Sequence, residues 1–190
     1  MSKLLLIRNA APEKDSRRPA HLWKLSESGR SSIGPLADSI RAHAPQVVIS
    51  SDEPKGIETA ELLAAELQVP HVVAPGLHEH DRTNVPHLRT HEFISSMALF
   101  FSKPTSNVFG SESATSVLRR VEQALREVVA EHAGKTIAVV SHAAAIAVFA
   151  AAHSNENAFQ LWRSMKAPSY LVFDADTLAL LERVDCLPGA

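Results

Sequence analysis

Short apolar runs recur along this chain with helical segments between them, and that alternation constrains the fold more than any other feature. The runs are Lys3–Ile7, Gln46–Ile49, His71–Val73, Thr136–Ser141 and Tyr170–Asp174, and a last one, Leu178–Arg183, follows the turn Asp174-Ala175-Asp176. Their shortness and their content of Val, Ile and Leu suit strands. Near-continuous apolarity, in place of polar–apolar alternation, suits strands covered on both faces, which is the habit of parallel sheets. Helices are expected between them. Ser26–Ala42 opens with a Ser cap and the acidic Glu27, Pro54–Leu67 carries proline in its first turn, and Glu112–His132 follows Ser111. Ala143–His153 reads as a small-residue helix buried on most sides. The expected fold is a three-layer α/β/α domain with a mostly parallel sheet of about six strands, the last two forming a C-terminal hairpin.

At 190 residues and 45% hydrophobic content the chain suits one domain, 1–190, with a sizeable core. It has no repeats, low-complexity tracts or interdomain linker. The one long insertion is the stretch of about 77–105, rich in His, Arg, Pro and Asn, which reads as a lid or specificity segment. With 19 basic residues against 21 acidic, no overall attraction to nucleic acid or to an acidic membrane surface is expected. The lone Cys186 excludes an intrachain disulfide framework and fits a reducing compartment. The apolar run Leu4-Leu5-Leu6-Ile7 is too short for a signal peptide, and no stretch reaches the roughly 18–20 apolar residues of a membrane span, so a cytoplasmic protein is expected.

In an open sheet of this kind ligands bind beyond the carboxyl ends of the strands. Three strand ends carry polar residues that would meet there: Arg8 and Asn9; Ser50 and Ser51, leading to Lys55; and Ser141 and His142, followed by Ala143-Ala144-Ala145 at a helix start. Helix N-termini with free N–H groups favour anions. Each of these residues alone reads as a solvated tip or a satisfied polar group; converging, they point to a phosphate or carboxylate site.

Five segments in order then resemble one family. Ile7-Arg8-Asn9-Ala10 resembles an Arg-His-Gly signature with asparagine in place of the histidine. Leu25-Ser26-Glu27-Ser28-Gly29-Arg30 looks like Leu-Thr-Glu-x-Gly, and Ser50-Ser51-Asp52-Glu53-Pro54-Lys55-Gly56-Ile57-Glu58-Thr59-Ala60 looks like Ser-Ser-x-x-x-Arg-Ala-x-Gln-Thr-Ala. Gly110-Ser111-Glu112-Ser113 with Arg120-Val121 resembles Gly-Glu-Ser…Arg-Val, and Val140-Ser141-His142-Ala143 resembles Val-Ser-His-Gly. The pattern, running from Lys3 to about Phe173, is that of the histidine phosphatase (phosphoglycerate mutase-like) superfamily.

The resemblance implies a phosphoglycerate mutase-like fold and phosphomonoester hydrolysis through a phosphohistidine. It implies no cofactor and no metal, because arginines and histidines neutralise the phosphoryl oxygens. Arg8 would clamp the phosphoryl group, with Lys55 in the position of the family's second arginine. His142 would donate to phosphoryl oxygens as charge develops, and Glu79 would protonate the leaving oxygen. Arg82, three residues after Glu79, would restore a bidentate fork that lysine lacks if its loop folds inward. Asn9 stands where the family has the nucleophile. An amide has no lone pair basic enough to attack phosphorus, yet it can occupy the ring's near-nitrogen position and keep that hydrogen bond. Two readings of Asn9 stay open: a natural phospholigand-binding pseudophosphatase, or a histidine-to-asparagine substitution in an otherwise intact phosphatase. Mutase activity ranks below phosphatase, since Glu79 is followed by His80-Asp81-Arg82 in place of the mutases' Asn-Glu-Arg-x-Tyr-Gly. The partner expected is a small phosphorylated molecule or a phosphate or sulfate ion. His78 and His80 read as loop residues, His43, His87, His91 and His132 as surface, and Trp23, Trp162, Phe100 and Phe101 as packing residues, with Phe100-Phe101 available to cover an apolar part of a substrate.

Overall fold

The computed structural model describes residues 2–187. Its strands are β1 (Lys3–Arg8), β2 (Val47–Ser50), β3 (His71–Val73), β4 (Ile137–Ser141), β5 (Ser169–Asp174) and β6 (Leu180–Val184). They form one sheet of six in the order β3-β2-β4-β1-β5-β6. The first four in that order run parallel, β5 is antiparallel to β1, and β6 closes the edge as the second arm of a hairpin with β5. The mostly parallel sheet with a terminal hairpin is therefore present.

Both faces of the sheet are covered, as the unbroken apolar runs require. Along β1, Leu4 and Leu6 enter one buried cluster and Leu5 and Ile7 enter the other, because successive strand side chains point to opposite faces. One layer comprises α1 (Glu27–Ser31), α2 (Ile33–Ile40) and α3 (Pro54–Leu67); the other comprises α4 (Thr90–Ser102), α5 (Ala114–Glu131), α6 (Ala143–Ala152) and α7 (Ala158–Ser164). From Ala143 to Ala150 every residue of α6 is buried, so the helix runs through the core as its small side chains suggested.

Two helical expectations need correction. The single helix expected over 26–42 is two short helices and a 3-10 turn, Arg41–His43. Pro35 has no N–H for the carbonyl of Ser31, so the ladder cannot run through; α2 instead starts anew at Ile33, placing the proline in its first turn, where no donor is needed. The third long helix is capped by Ser113, whose side chain accepts from the Ser116 N–H at 3.2 Å, and begins at Ala114 instead of following Ser111. The insertion of about 77–105 also contains a helix, α4, which buries Met97 and Phe100 in the core.

Gly29 in α1 fixes how this helix sits on the chain leaving β1. A Cβ there would lie 2.2 Å from the carbonyl oxygen of Ala11, which already accepts from Ser26 N–H at 3.0 Å and Ser26 Oγ at 2.9 Å. Backbone held by those two bonds cannot step aside. Gly29→Ala should lower stability by about 1–3 kcal/mol. Urea unfolding checks this: the midpoint should fall at an unchanged slope, and an unchanged midpoint would mean that the contact is slack.

Candidate functional site

The central strands bring the polar strand ends together. Arg8 at the end of β1 is in register with Ser141 at the end of β4, and Ser50 at the end of β2 is in register with Val140. The residues that follow are tied across the strand ends by the backbone: Asn9 N–H donates to Ser141 O at 2.9 Å and Ser51 N–H to Val140 O at 3.0 Å. Asn9, Ser51 and His142 thus emerge side by side, and all three are buried.

His142 is the hub. Asn9 Nδ2 donates to the carbonyl of Ala10 at 2.9 Å, which leaves the amide oxygen facing His142 Nδ1 at 3.0 Å. Since that oxygen can only accept, Nδ1 carries the proton, and Nε2 accepts from the Ser51 hydroxyl at 2.7 Å. Burial pushes the imidazole well below its ordinary pKa, and the charge of Lys55 pushes it the same way, so the ring is neutral. Both ring nitrogens are engaged, and Nε2 has no proton to give in this tautomer: donation to a phosphoryl oxygen requires both release of the Ser51 bond and protonation of the ring. Gly56 permits the Ser51 rotamer, because a Cβ there would come within 2.3 Å of Ser51 Oγ.

Around this chain of bonds lie two cations and two carboxylates. Lys55, at the start of α3, donates to the carbonyl of Ala20 at 2.9 Å and is ion-paired with Glu53. Glu53 turns its other oxygen to the Glu79 N–H at 2.7 Å and lies 3.8 Å from His142 Nε2. The Glu79 carboxylate accepts from the N–H groups of Ala144 (3.1 Å) and Ala145 (3.3 Å) at the start of α6 and from its own neighbour His80 at 2.9 Å. Burial works against its charge, but the charge of Arg82 and the His80 N–H oppose burial, and the carboxyl lies below the usual range. Glu79 is thus set up as an ionised cap on a helix N-terminus. Arg8 donates to the carbonyl of Met165, and its guanidinium remains under the influence of Glu79.

Of the residues nominated from sequence, Arg8, Asn9, Lys55, Glu79 and His142 gather here. Arg82 influences Glu79 through its charge, but its guanidinium stacks over Phe93 at 5.0 Å and reaches the sulfur of Met97 at 3.7 Å, so it supplies no fork at the Asn9–His142 pair. Phe100 is wholly buried, and its ring lies 4.1 Å from that of His80, itself buried; His80 is thus a core residue and not a loop side chain. Phe101 packs near Phe159 and Trp162. His43 is half-buried and bonded to Lys3 Nζ at 3.1 Å, so it too is not a free surface group.

Three participants carried no assigned role in the sequence. Glu53 sat inside a matched segment at a position the pattern leaves open, and only the helix start at Pro54 shows that it faces inward. Ser51 was placed at a strand end without a partner. Arg120 was matched as a motif letter, yet it builds the Glu79 loop by donating to the carbonyls of Gly76 (3.0 Å), His78 (2.7 Å) and Glu79 (2.9 Å) while paired with Glu112. No group of three or more His, Cys, Asp or Glu among the described residues is placed to hold a metal ion, and no helix among them is long and apolar enough to cross a membrane.

Comparison with known proteins identifies the family and the fold. The family model for the histidine phosphatase superfamily (branch 1) matches residues 4–177. A mycobacterial glucosyl-3-phosphoglycerate phosphatase superposes with a TM-score of 0.79 at 20% identity, covering 99% of this chain and 100% of its own. Phosphoserine phosphatase from Entamoeba histolytica, in complex with 3-phosphoglyceric acid, superposes with a TM-score of 0.79 at 19% identity and 98% coverage of both chains. The α-ribazole phosphatase of Shigella flexneri gives 0.71 at 17% identity, over 97% of this chain and 96% of its own. At these identities the likeness is one of fold. A search of curated protein sequences returned no significant match.

Proposed function

Since this chain belongs to the histidine phosphatase superfamily (branch 1), we propose that its strand-end cluster is a phosphomonoester site that binds the phosphoryl group but, with Asn9 in the nucleophile position, does not turn it over. The observation that carries the reading is the pose of Asn9. Its Nδ2 donates to Ala10 O as the near nitrogen of a histidine would, and its Oδ1 accepts from His142 Nδ1, so the amide fills the near half of a histidine's place and keeps that one hydrogen bond. Nothing at that residue can form a bond to phosphorus. Arg8 supplies the fixed positive charge, and His142, protonated as the dianion arrives and released from Ser51, donates from Nε2 to a phosphoryl oxygen. Glu79 stands where a proton donor to a leaving alkoxide would stand, a role idle without the nucleophile. An arriving phosphate dianion raises its pKa by charge repulsion, offsetting the contacts that otherwise hold it ionised.

The substrate class is a small phosphorylated molecule. The neighbouring folds include phosphatases named for glucosyl-3-phosphoglycerate, phosphoserine and α-ribazole phosphate chemistry, and one is complexed with inorganic phosphate. Calorimetric titration with orthophosphate and with vanadate tests the reading. Arg8→Ala should weaken both by about tenfold or more, because charge-assisted bonds from a mostly covered guanidinium are lost. Arg17→Ala, which removes an exposed arginine paired with Asp15, should leave binding unchanged. Binding by the parent no stronger than by Arg8→Ala would overturn the assignment.

A further inference from the structure

Glu53 puts a negative charge where the proposed ligand would put its own. Its residue is 7% exposed, as is that of Lys55, and its two carboxylate oxygens are divided between the Lys55 ammonium and the Glu79 N–H, with His142 Nε2 at 3.8 Å. The groups that would greet a phosphoryl dianion are thus already matched to an anion belonging to the protein. Lys55 has one partner in Glu53 and another in the carbonyl of Ala20. The helix N-terminus of α6 is occupied by the Glu79 carboxylate. About Asn9 and His142 the cations Arg8 and Lys55 face the carboxylates Glu53 and Glu79, Arg82 adds a positive charge acting on Glu79, and a neutral His142 adds none. A dianion entering such a cluster meets two carboxylates, and the one that holds Lys55 takes from it a cation it would otherwise use.

Glu79 is explained by the helix start it caps and by its role in the proposed reaction. Glu53 is explained by neither. It follows that the two carboxylates are not equivalent, and that the one spare anion is Glu53.

We propose that Glu53 is a built-in competitor for the phosphate pocket, an intrachain carboxylate that holds Lys55 and must be displaced before a phosphoryl dianion can bind. This rests on the phosphate reading of the pocket and adds to it the residue that sets how strongly a dianion is accepted. Displacement has a local route. Glu53 immediately precedes α3 with an extended backbone, so its displacement need not unwind the helix. Lys55 Nζ, freed, can then turn to the ligand while its Ala20 contact is given up or shared.

Glu53→Gln is the informative change. It keeps the volume and an oxygen to accept the Glu79 N–H, and removes only the charge. Orthophosphate and vanadate should bind Glu53→Gln at least about tenfold more tightly than the parent, since one unit of repulsion at close range in a largely dry site is relieved. Asp52→Asn removes the same charge from the exposed neighbouring residue and should change affinity less than twofold, about the screening expected of a solvated group. Glu53→Ala serves as a second reading of the same charge, should the glutamine variant unfold at lower temperature than the parent. Adding Arg8→Ala to Glu53→Gln separates the competitor from the pocket. Tightening that is lost in the double variant supports both. Equal, Arg8-dependent affinity in the parent and in Glu53→Gln overturns the competitor and leaves the pocket standing. Absence of any Arg8-dependent binding in every variant overturns the pocket and the competitor with it.

Discussion

Asn9→His should hydrolyse an aryl phosphate at least about a thousandfold faster than the parent, the scale on which removing or supplying a nucleophile acts. The structure already holds the acceptor such a ring needs. Asn9 Nδ2 donates to the Ala10 carbonyl at 2.9 Å, and a histidine whose Nδ1–H takes over that bond is locked in the tautomer with a bare Nε2. The Nε2 lone pair would attack phosphorus, the P–O bond to the aryl group would break, and the aryloxide would leave with the electron pair. Water would then cleave the N–P bond, returning the imidazole and releasing phosphate. An aryl ester is the right probe because phenoxides leave without protonation, so the outcome does not depend on Glu79 changing its charge state. Alkyl phosphates should respond less, since their leaving oxygen needs a proton from Glu79, which must first be raised out of its ionised state by the charge of the bound dianion. Stopped assays trapping acid-labile, base-stable phosphoprotein would identify the intermediate. A variant that binds vanadate as the parent does and yet hydrolyses nothing would show that more than the nucleophile has been lost from the site.

The layered fold was legible because it rests on a pattern that water imposes. Strands buried on both faces must be apolar throughout, and β1, β4 and β5 are so from end to end of their interiors. Helix boundaries were less so where one residue decides them: Pro35 splits a region whose apolar periodicity is continuous, and only the missing donor says where. In the site, Arg8, Asn9 and His142 were readable since each directly follows or ends a strand and topology alone brings such ends together. Glu53 and Arg82 were not. Whether a carboxylate just before a helix points into a pocket or into water depends on the turn that precedes it, and whether a loop arginine reaches the site depends on competition from an aromatic ring such as Phe93. Neither competition leaves a periodic trace. Asp52 and Glu53 are adjacent acidic residues with opposite fates, one exposed and one buried.

Arg120→Ala should be strongly destabilising, by about 2–4 kcal/mol, since it removes one partner from a half-buried ion pair and leaves several backbone carbonyls without a donor. A guanidinium has five N–H donors, and every one of them is used. Nε and one Nη2 donor hold the Glu112 carboxylate at 3.1 and 2.7 Å, the two Nη1 donors hold the carbonyls of Gly76 and His78, and the last holds the carbonyl of Glu79. Truncation strands three carbonyls and a carboxylate whose side chain is 15% exposed, and whose charge burial already opposes. Glu112 in turn accepts from the Asp81 N–H at 2.9 Å, so both sides of the loop around Glu79 lose their anchor together. Arg120→Lys should recover less than half of the loss, because an ammonium can satisfy the carboxylate but has neither the reach nor the fixed fork for three carbonyls on the other side. Consequences should extend past stability: with the loop slack, the Glu79 carboxylate leaves the Ala144 and Ala145 N–H groups, and hydrogen exchange at those two amides should rise well above that of the middle of α6. Stability lost without faster exchange at the start of α6 would mean that Glu79 keeps its place unaided, and that Arg120 serves the core rather than the site.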